Sequence, residues 1–237
     1  WGSLDQGRTV NASGGRRSVN ASGGRRTVNA PDAPRLAVLD YGIGTHRSAE
    51  KAFQHAGADA FLTADPRQVA RADEVVLPGV GAFGRCREAL ADTGLDRVAS
   101  DAVASGRPFM GICVGMQLLY EGSEESPGTE GLGVLPGRVV RLPDGVKHPQ
   151  MQWNRLSVRT ESPLLEGLGE RPWMYFVHSF APECTGDTVA PCDYGGEVTA
   201  MAAHDNVVAT QFHPEKSSAP GLALLANFVN LAAGVAA

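Results

Sequence analysis

Cys113 lies in the stretch Arg107-Pro-Phe-Met-Gly-Ile-Cys-Val-Gly-Met-Gln-Leu-Leu-Tyr120, with Gly111 and Gly115 on either side of it. Glycines at those two places let the backbone turn sharply and let neighbouring chain come close. The pattern is Gly-x-nucleophile-x-Gly with a thiol as the nucleophile, a turn that pushes the side chain out of a sheet. It also sets the sulfur over a helix N-terminus, where unpaired N–H groups favour an anion. An ordinary thiol, with pKa about 8.5, is only a few per cent ionised at pH 7, so such a setting predicts a reactive sulfur. A lone cysteine in an apolar run is also what a buried, inert core residue looks like. Support for the chemical reading lies far downstream, where the strand-like run Val207 to Phe212 is followed by His213-Pro214-Glu215. His213 falls at a strand's carboxyl end, as Cys113 does, and Glu215 can reach back to fix the imidazole tautomer. That is nucleophile, base and orienter, gathered where open α/β sheets place their sites.

A sheet is needed to bring these groups together, and the chain alternates strand and helix patterns from Leu36 onward. Leu36 to Asp40 reads as a buried strand. Gly42 and Gly44 make the turn after it, and Thr45 caps a helix carrying Ala49, Phe53 and Ala56 before Gly57 stops it. Ala60 to Thr63 is the next strand, Asp65-Pro66 opens a short helix, and Glu74 to Leu77 is a third strand ending in Pro78-Gly79-Val80-Gly81. Helical crossovers between these strands imply parallel order. Leu95, Val98, Ala102 and Val103 form the apolar stripe of a helix closed by Gly106, which delivers the chain to the strand Pro108 to Ile112 and the helical segment Met116 to Tyr120. After about Gly131 the texture changes. Arg138 to Leu142, Leu156 to Arg159, Trp173 to Val177 and Val198 to Ala202 read as strands with short loops, partly antiparallel, and Pro220 to Leu231 as a last helix with Leu222, Leu225, Phe228 and Val229 inward.

Composition agrees with one α/β domain: 237 residues, 43% apolar and 20% charged, enough to bury a sizeable core. A net charge of -5 and a pI near 5.7 supply no electrostatic argument for nucleic acid or an anionic membrane surface. No apolar stretch approaches the roughly 20 residues of a membrane span. The four cysteines, Cys86, Cys113, Cys184 and Cys192, are expected as reduced thiols in a cytoplasmic protein. The six histidines show no ligand-type spacing, so no metal is expected. Residues 1–34 stand apart. A nine-residue unit, Thr9-Val-Asn-Ala-Ser-Gly-Gly-Arg-Arg17, recurs from Ser18 and begins again at Thr27. It is polar and glycine-rich and cannot bury a core, so it is expected as a disordered extension, with the folded domain at 35–237. A basic tether and a transit segment are alternatives. The chain opens on Trp1 rather than Met, which favours an extension left by a misassigned gene start or by cloning.

Gly111-Ile-Cys113-Val-Gly-Met-Gln117 and Gln211-Phe-His213-Pro-Glu215 together resemble the class I, triad-type glutamine amidotransferases. Four further segments resemble the glutaminase subunits of imidazole glycerol phosphate synthase: Asp40-Tyr-Gly-Ile-Gly44, Leu77-Pro-Gly-Val-Gly-Ala-Phe83, Met151-Gln-Trp-Asn154 and Tyr175-Phe-Val-His-Ser179. The likeness runs from about Leu36 to Phe228. It implies a three-layer α/β fold, with a mostly parallel central sheet flanked by helices and a partly antiparallel C-terminal portion. It also implies hydrolysis of glutamine to glutamate and ammonia through a Cys113 thioester, with His213 and Glu215 completing the triad and with no cofactor. The ammonia would pass to a (β/α)8-barrel cyclase subunit, the partner in a heterodimer that makes imidazole glycerol phosphate and AICAR in histidine biosynthesis.

The resemblance further assigns oxyanion N–H groups to Gly81 and Val114, and substrate contacts to Gly79, Gln117, Glu125, Ser179 and Phe180. Trp153, Asn154 and Lys216 fall at the partner interface. Read without it, Pro78 to Gly81 is a tight strand-to-helix connection, and Glu125 belongs to a solvated loop; His178 is a satisfied histidine at a strand end. The chain departs from the family at Thr45-His46, where Asn-Leu is usual, and at Gln150 and Gln152, where His and Gly are usual. Other amidotransferases of the class would keep the triad but lack the Asp40 and Tyr175 segments, and a non-catalytic domain on this fold would have lost triad residues.

Overall fold

In a computed structural model, residues 33–43 and 47–232 are described. The repeat at 1–32, the turn residues Gly44, Thr45 and His46, and the segment 233–237 lie outside the described residues. The elements are β1 (Arg35–Leu39), α1 (Arg47–Ala56), β2 (Asp59–Thr63), α2 (Pro66–Val69), β3 (Glu74–Gly79), α3 (Phe83–Asp92), α4 (Leu95–Ala104), β4 (Phe109–Cys113), α5 (Val114–Gln117), β5 (Val139–Arg141), β6 (Gln150–Arg155), β7 (Trp173–His178), β8 (Phe180–Pro182), β9 (Thr188–Asp193), β10 (Glu197–His204), β11 (Val207–Thr210) and α6 (Ser218–Ala232).

The central sheet runs β2-β1-β3-β4-β11-β10-β9. Its first five strands are parallel, as expected for runs such as Val75, Val76 and Leu77 that are buried on both faces. β10 is antiparallel to both β11 and β9, so the C-terminal portion departs from parallel order. Helices α1 and α6 pack together, and α4 packs against α2 and α3. The Phe53 and Phe228 rings, 5.9 Å apart, tie α1 to α6. The parallel neighbours β4 and β11 pair Ile112 with Thr210, so the two chains leave the sheet side by side at its carboxyl edge. That juxtaposition positions the site.

Several elements differ from the sequence reading. β3 continues through Pro78 and Gly79, and Gly79 pairs with Cys113. Helix α3 follows the strand-to-helix connection at Pro78 to Gly81 and buries only Phe83, Cys86 and Leu90. The helix expected over Met116 to Tyr120 is one turn, Val114–Gln117. It stops because the next carbonyls are captured from outside: Leu132 N–H bonds to Leu118 O at 2.8 Å, and Val134 N–H to Leu119 O at 2.8 Å. A strand expected at Leu156 to Arg159 lies instead at Gln150–Arg155. There Met151 and Trp153 are exposed while Gln150 is buried, the reverse of the usual pattern. Residues 156–160 still run along β9, with Ser157 N–H on Pro191 O and Arg159 N–H on Val189 O. In α6 the inward leucines are Leu224 and Leu225, and Leu222 is only half-buried.

Candidate active site

The turn after β4 is as sharp as the glycine pattern requires. Cys113 has φ 56° and ψ -114°, a left-handed backbone that a non-glycine residue adopts at a cost, and one found at functional sites. A Cβ on Gly115 would overlap the Leu77 carbonyl, and one on Gly111 would come within 2.9 Å of Met116 Cα. Both glycines are therefore dictated by close packing of α5 on β3 and β4. Gly79 serves the same approach, since a Cβ there would lie 2.5 Å from Gly115 N.

His213 arrives beside the thiol from β11. Its N–H bonds to Tyr175 O at 3.0 Å, and its carbonyl accepts from Ser217 Oγ at 2.6 Å, while Phe212 packs edge-on against Phe176. The backbone is thus held on both sides of the imidazole. His213 Nδ1 lies 2.8 Å from Glu215 Oε1, with both side chains buried. An ionised carboxylate only accepts, so Nδ1 carries the proton and Nε2 is left for the sulfur. Burial pushes the imidazole down, but hydrogen bonds and charges from Cys113 and Glu215 outweigh it and hold it up at about 10.

Cys113, Val114, His213 and Gly81 line a cavity of about 320 Å³, and Gln117, Glu125, Ser179 and Phe180 are also in its wall. The structure therefore brings together every site residue read from the sequence except Gly79, which packs beneath the turn, and the three interface residues. A larger cleft of about 890 Å³, between Ser157 and Arg171, contains none of these groups.

The loop after β3 is tethered from below. Tyr41 Oη donates to Pro78 O at 2.6 Å, and Cys86 Sγ to Val80 O at 3.3 Å. Burial keeps both donors protonated, pushing the Cys86 thiol up to about 11 and the Tyr41 phenol well above its ordinary range. With the Val80 carbonyl drawn to Cys86, the N–H of Gly81 on the same peptide points away from it. Gly81 itself has φ 97°, which suits glycine. Glu125 is placed by α3, whose cap residue Ala82 offers no side-chain acceptor. Glu125 Oε2 accepts from Phe83 N–H at 2.8 Å instead, and Ser126 Oγ accepts from Gly84 N–H at 3.1 Å. His178 Nδ1 donates to Phe180 O at 2.9 Å, and Gln117 Nε2 donates to the same oxygen at 2.9 Å. Burial lowers it to about 4, so it is neutral at physiological pH, and its Nε2 has no partner among the described residues.

Sequence reasoning left Gln211 without a role. It is fully buried and stands between Gln117 and Cys113. Its one signal was a polar side chain at the end of an apolar run. Away from the cavity, β6 and β7 pair antiparallel and carry Trp153, 44% exposed, and Met151, 61% exposed, on an open face. Trp153 packs on Tyr175 at 5.9 Å, and Arg155 lies over Trp173. Asn154 is half-buried and donates to Asp193 O at 2.9 Å. Lys216 is exposed and borders a small cleft shared with Gly79, Val80, His213 and Glu215.

The family described as class-I glutamine amidotransferase matches residues 37–231. The imidazole glycerol phosphate synthase subunit HisH of Methanothermobacter thermautotrophicus is 49% identical over 197 residues, covering 83% of this chain and 98% of that one. The subunit of the same name from Salinibacter ruber is 45% identical over 203 residues, covering 82% and 93%. Among solved structures, PurLQS from Thermotoga maritima superposes with a TM-score of 0.68 at 20% identity, over 84% of this chain and 99% of that one. That likeness speaks for the fold alone.

Proposed function

The chain belongs to the class-I glutamine amidotransferases, and within them to the HisH subunits of imidazole glycerol phosphate synthase; from that premise we propose that it hydrolyses glutamine and supplies ammonia to a cyclase subunit. The observation that carries the proposal is Cys113 on a strained turn beside a His213 held by Glu215.

Cys113 passes its thiol proton to His213 Nε2, its Sγ attacks the side-chain amide carbon, and the electron pair of the C=O moves to oxygen. The N–H groups of Val114 and Gly81 are the donors for that oxyanion; removing one such donor costs about 3 kcal/mol in other enzymes. As the C–N bond breaks, His213 gives its proton to the leaving nitrogen, and ammonia departs from the thioester. His213, now neutral at Nε2, takes a proton from water, hydroxide adds to the thioester carbon, and glutamate leaves as the C–S bond breaks. Acyl transfer of this kind calls on no cofactor. Gln117 and Glu125 offer acceptors for the substrate's α-ammonium, and the Ser179-Phe180 backbone lies across the cavity for its carboxylate.

The cyclase subunit is taken to be a (β/α)8 barrel forming a heterodimer with this chain and making imidazole glycerol phosphate and AICAR. The exposed face of Met151, Trp153 and Tyr175, with Asn154 and Lys216 nearby, is the surface for it, since apolar aromatic patches of this kind mark interfaces. Free thiols at all four cysteines suit the reducing cytoplasm, and no described helix is long and apolar enough to cross a membrane. The folded unit is residues 35–237, with 1–34 as an extension.

The test is Cys113→Ala in the complex with the cyclase. Glutamine-dependent product formation should vanish, and formation from added ammonium salt should persist. Retained glutamine use would remove Cys113 as the nucleophile.

A further inference from the structure

Gln211 takes no part in the steps above, yet it is fully buried next to the nucleophile. Its contacts have a fixed polarity. The Phe180 carbonyl can only accept, so the Gln117 atom that meets it at 2.9 Å is nitrogen. That same Nε2 lies 3.0 Å from Gln211, and with its two protons donated, the Gln211 atom facing it is Oε1. The Gln211 amide nitrogen is thereby turned to Cys113 Sγ, at 3.9 Å. One backbone carbonyl thus orients two buried amides in series. Phe180 O is itself anchored by a second donor, His178 Nδ1 at 2.9 Å.

This arrangement matters most on the far side of Gln117. With both amide protons held inside the protein, Gln117 Oε1 is the acceptor left over. It has no partner among the described residues, and Gln117 lines the cavity. An amino-acid substrate brings an α-ammonium group that needs acceptors, and Gln117 Oε1 and the Glu125 carboxylate both lie in that wall. We infer that Gln211 is a positioning residue for substrate recognition: by accepting from Gln117 Nε2, it keeps the Gln117 carbonyl aimed at the substrate's α-ammonium. Without Gln211 the amide keeps a single tie, to Phe180 O, and can swing so that N–H rather than oxygen meets the ammonium. The inference rests on the glutaminase reading.

The test uses the full chain in complex with the cyclase subunit and two thiol reagents, with alkylation of the Cys113 peptide followed by mass spectrometry. 6-Diazo-5-oxo-L-norleucine carries the α-ammonium and reacts after binding as glutamine does, whereas iodoacetamide alkylates the thiol without that recognition. The ratio of the two rate constants is the readout, so a general change in thiol reactivity cancels. In Gln211→Leu the ratio should fall by about tenfold or more, the worth of one charge-assisted hydrogen bond. Gln211→Glu keeps an oxygen for Gln117 Nε2 while losing the N–H at sulfur, and its ratio should stay near that of the wild type. Equal slowing with both reagents in Gln211→Leu would overturn the inference, as would a Glu variant whose ratio falls as far as the Leu variant's. If Gln211→Leu does not fold, Gln211→Ala carries the same comparison. A wild-type chain alkylated by iodoacetamide but untouched by the glutamine analogue would remove the glutaminase reading, and the inference with it, so the two failures are told apart.

Discussion

His213 and Glu215 expose only 4% and 6% of their side chains and lie 2.8 Å apart, and a buried charge survives only when paired and hydrogen-bonded. Burial by itself pushes the imidazole down, and Cys113 and Glu215 together bring it up to about 10. Because the folded value lies above the ordinary value of 6.5, the fold holds this proton more tightly than the unfolded chain does. The resulting stability is fully present below pH 6.5 and is lost as pH rises to about 10. Glu215→Ala should lower the pH at which that loss is complete, seen as a reduced difference in thermal midpoint between pH 7 and pH 10. It should also cut glutamine turnover by about a hundredfold or more, as loss of a tautomer-setting carboxylate does elsewhere. Unchanged turnover in that variant would rule out Glu215 as the orienter. The triad arrangement was legible in the sequence because Cys113 ends one strand-like run, His213 follows another, and Glu215 lies two residues beyond His213. Gln211 was not, since its meaning comes from Gln117, 94 positions away, and no local spacing announces such a pair.

Helix α5 can lie so close to β3 only because position 115 has no side chain. A methyl group there would overlap the Leu77 carbonyl, a backbone atom that cannot move aside without breaking the sheet. Gly115→Ala should therefore cost about 3 kcal/mol or more and displace the turn that carries Cys113. A variant with a wild-type thermal midpoint and full activity would show that the packing is looser than described. At the other end of β3, Glu74 is fully buried, and burial pushes its carboxyl from 4.5 up to about 8. The sign is that of a proton bound more tightly by the fold, so stability falls as pH rises from 4.5 to about 8. Glu74→Gln should remove that fall, raising the thermal midpoint at pH 8.5 by about 4 °C and leaving it nearly unchanged at pH 5. A variant less stable at both pH values would refute the account. Elements with a single buried stripe, such as α1 and α4, were readable from the sequence. Those shaped by distant partners were not. α5 is cut short by hydrogen bonds from residues 132–135, and β6 shows Met151 and Trp153 to solvent, so a pattern search places the strand at Leu156, directly after the observed strand has ended.

The class of the fold was legible because buried parallel strands alternating with amphipathic helices leave few other arrangements, while the antiparallel pairing of β5 with β8 and of β6 with β7 depended on contacts that no periodicity encodes. At the same scale lies the question of when the chain works. Lys216 is exposed and borders a cleft whose walls include Pro78, Gly79, Val80, His213 and Glu215. A carboxylate on the cyclase that paired with Lys216 would thus press on the triad and on the loop that supplies the Gly81 N–H. That loop is held in one setting by Tyr41 at Pro78 O and by Cys86 at Val80 O, and its glycines permit a peptide to turn. A glutaminase acting without its partner would release ammonia to no purpose. The chain alone should therefore turn over glutamine slowly, and the cyclase with the nucleotide it converts to imidazole glycerol phosphate and AICAR should speed it by about a thousandfold, which asks for only about 4 kcal/mol of differential stabilisation. One or two oxyanion donors brought into line supply that much. Steady-state glutaminase rates for the chain alone, with cyclase, and with cyclase plus nucleotide decide the matter. Equal rates in all three would refute the coupling, and an undiminished response in Lys216→Ala would take that lysine out of it.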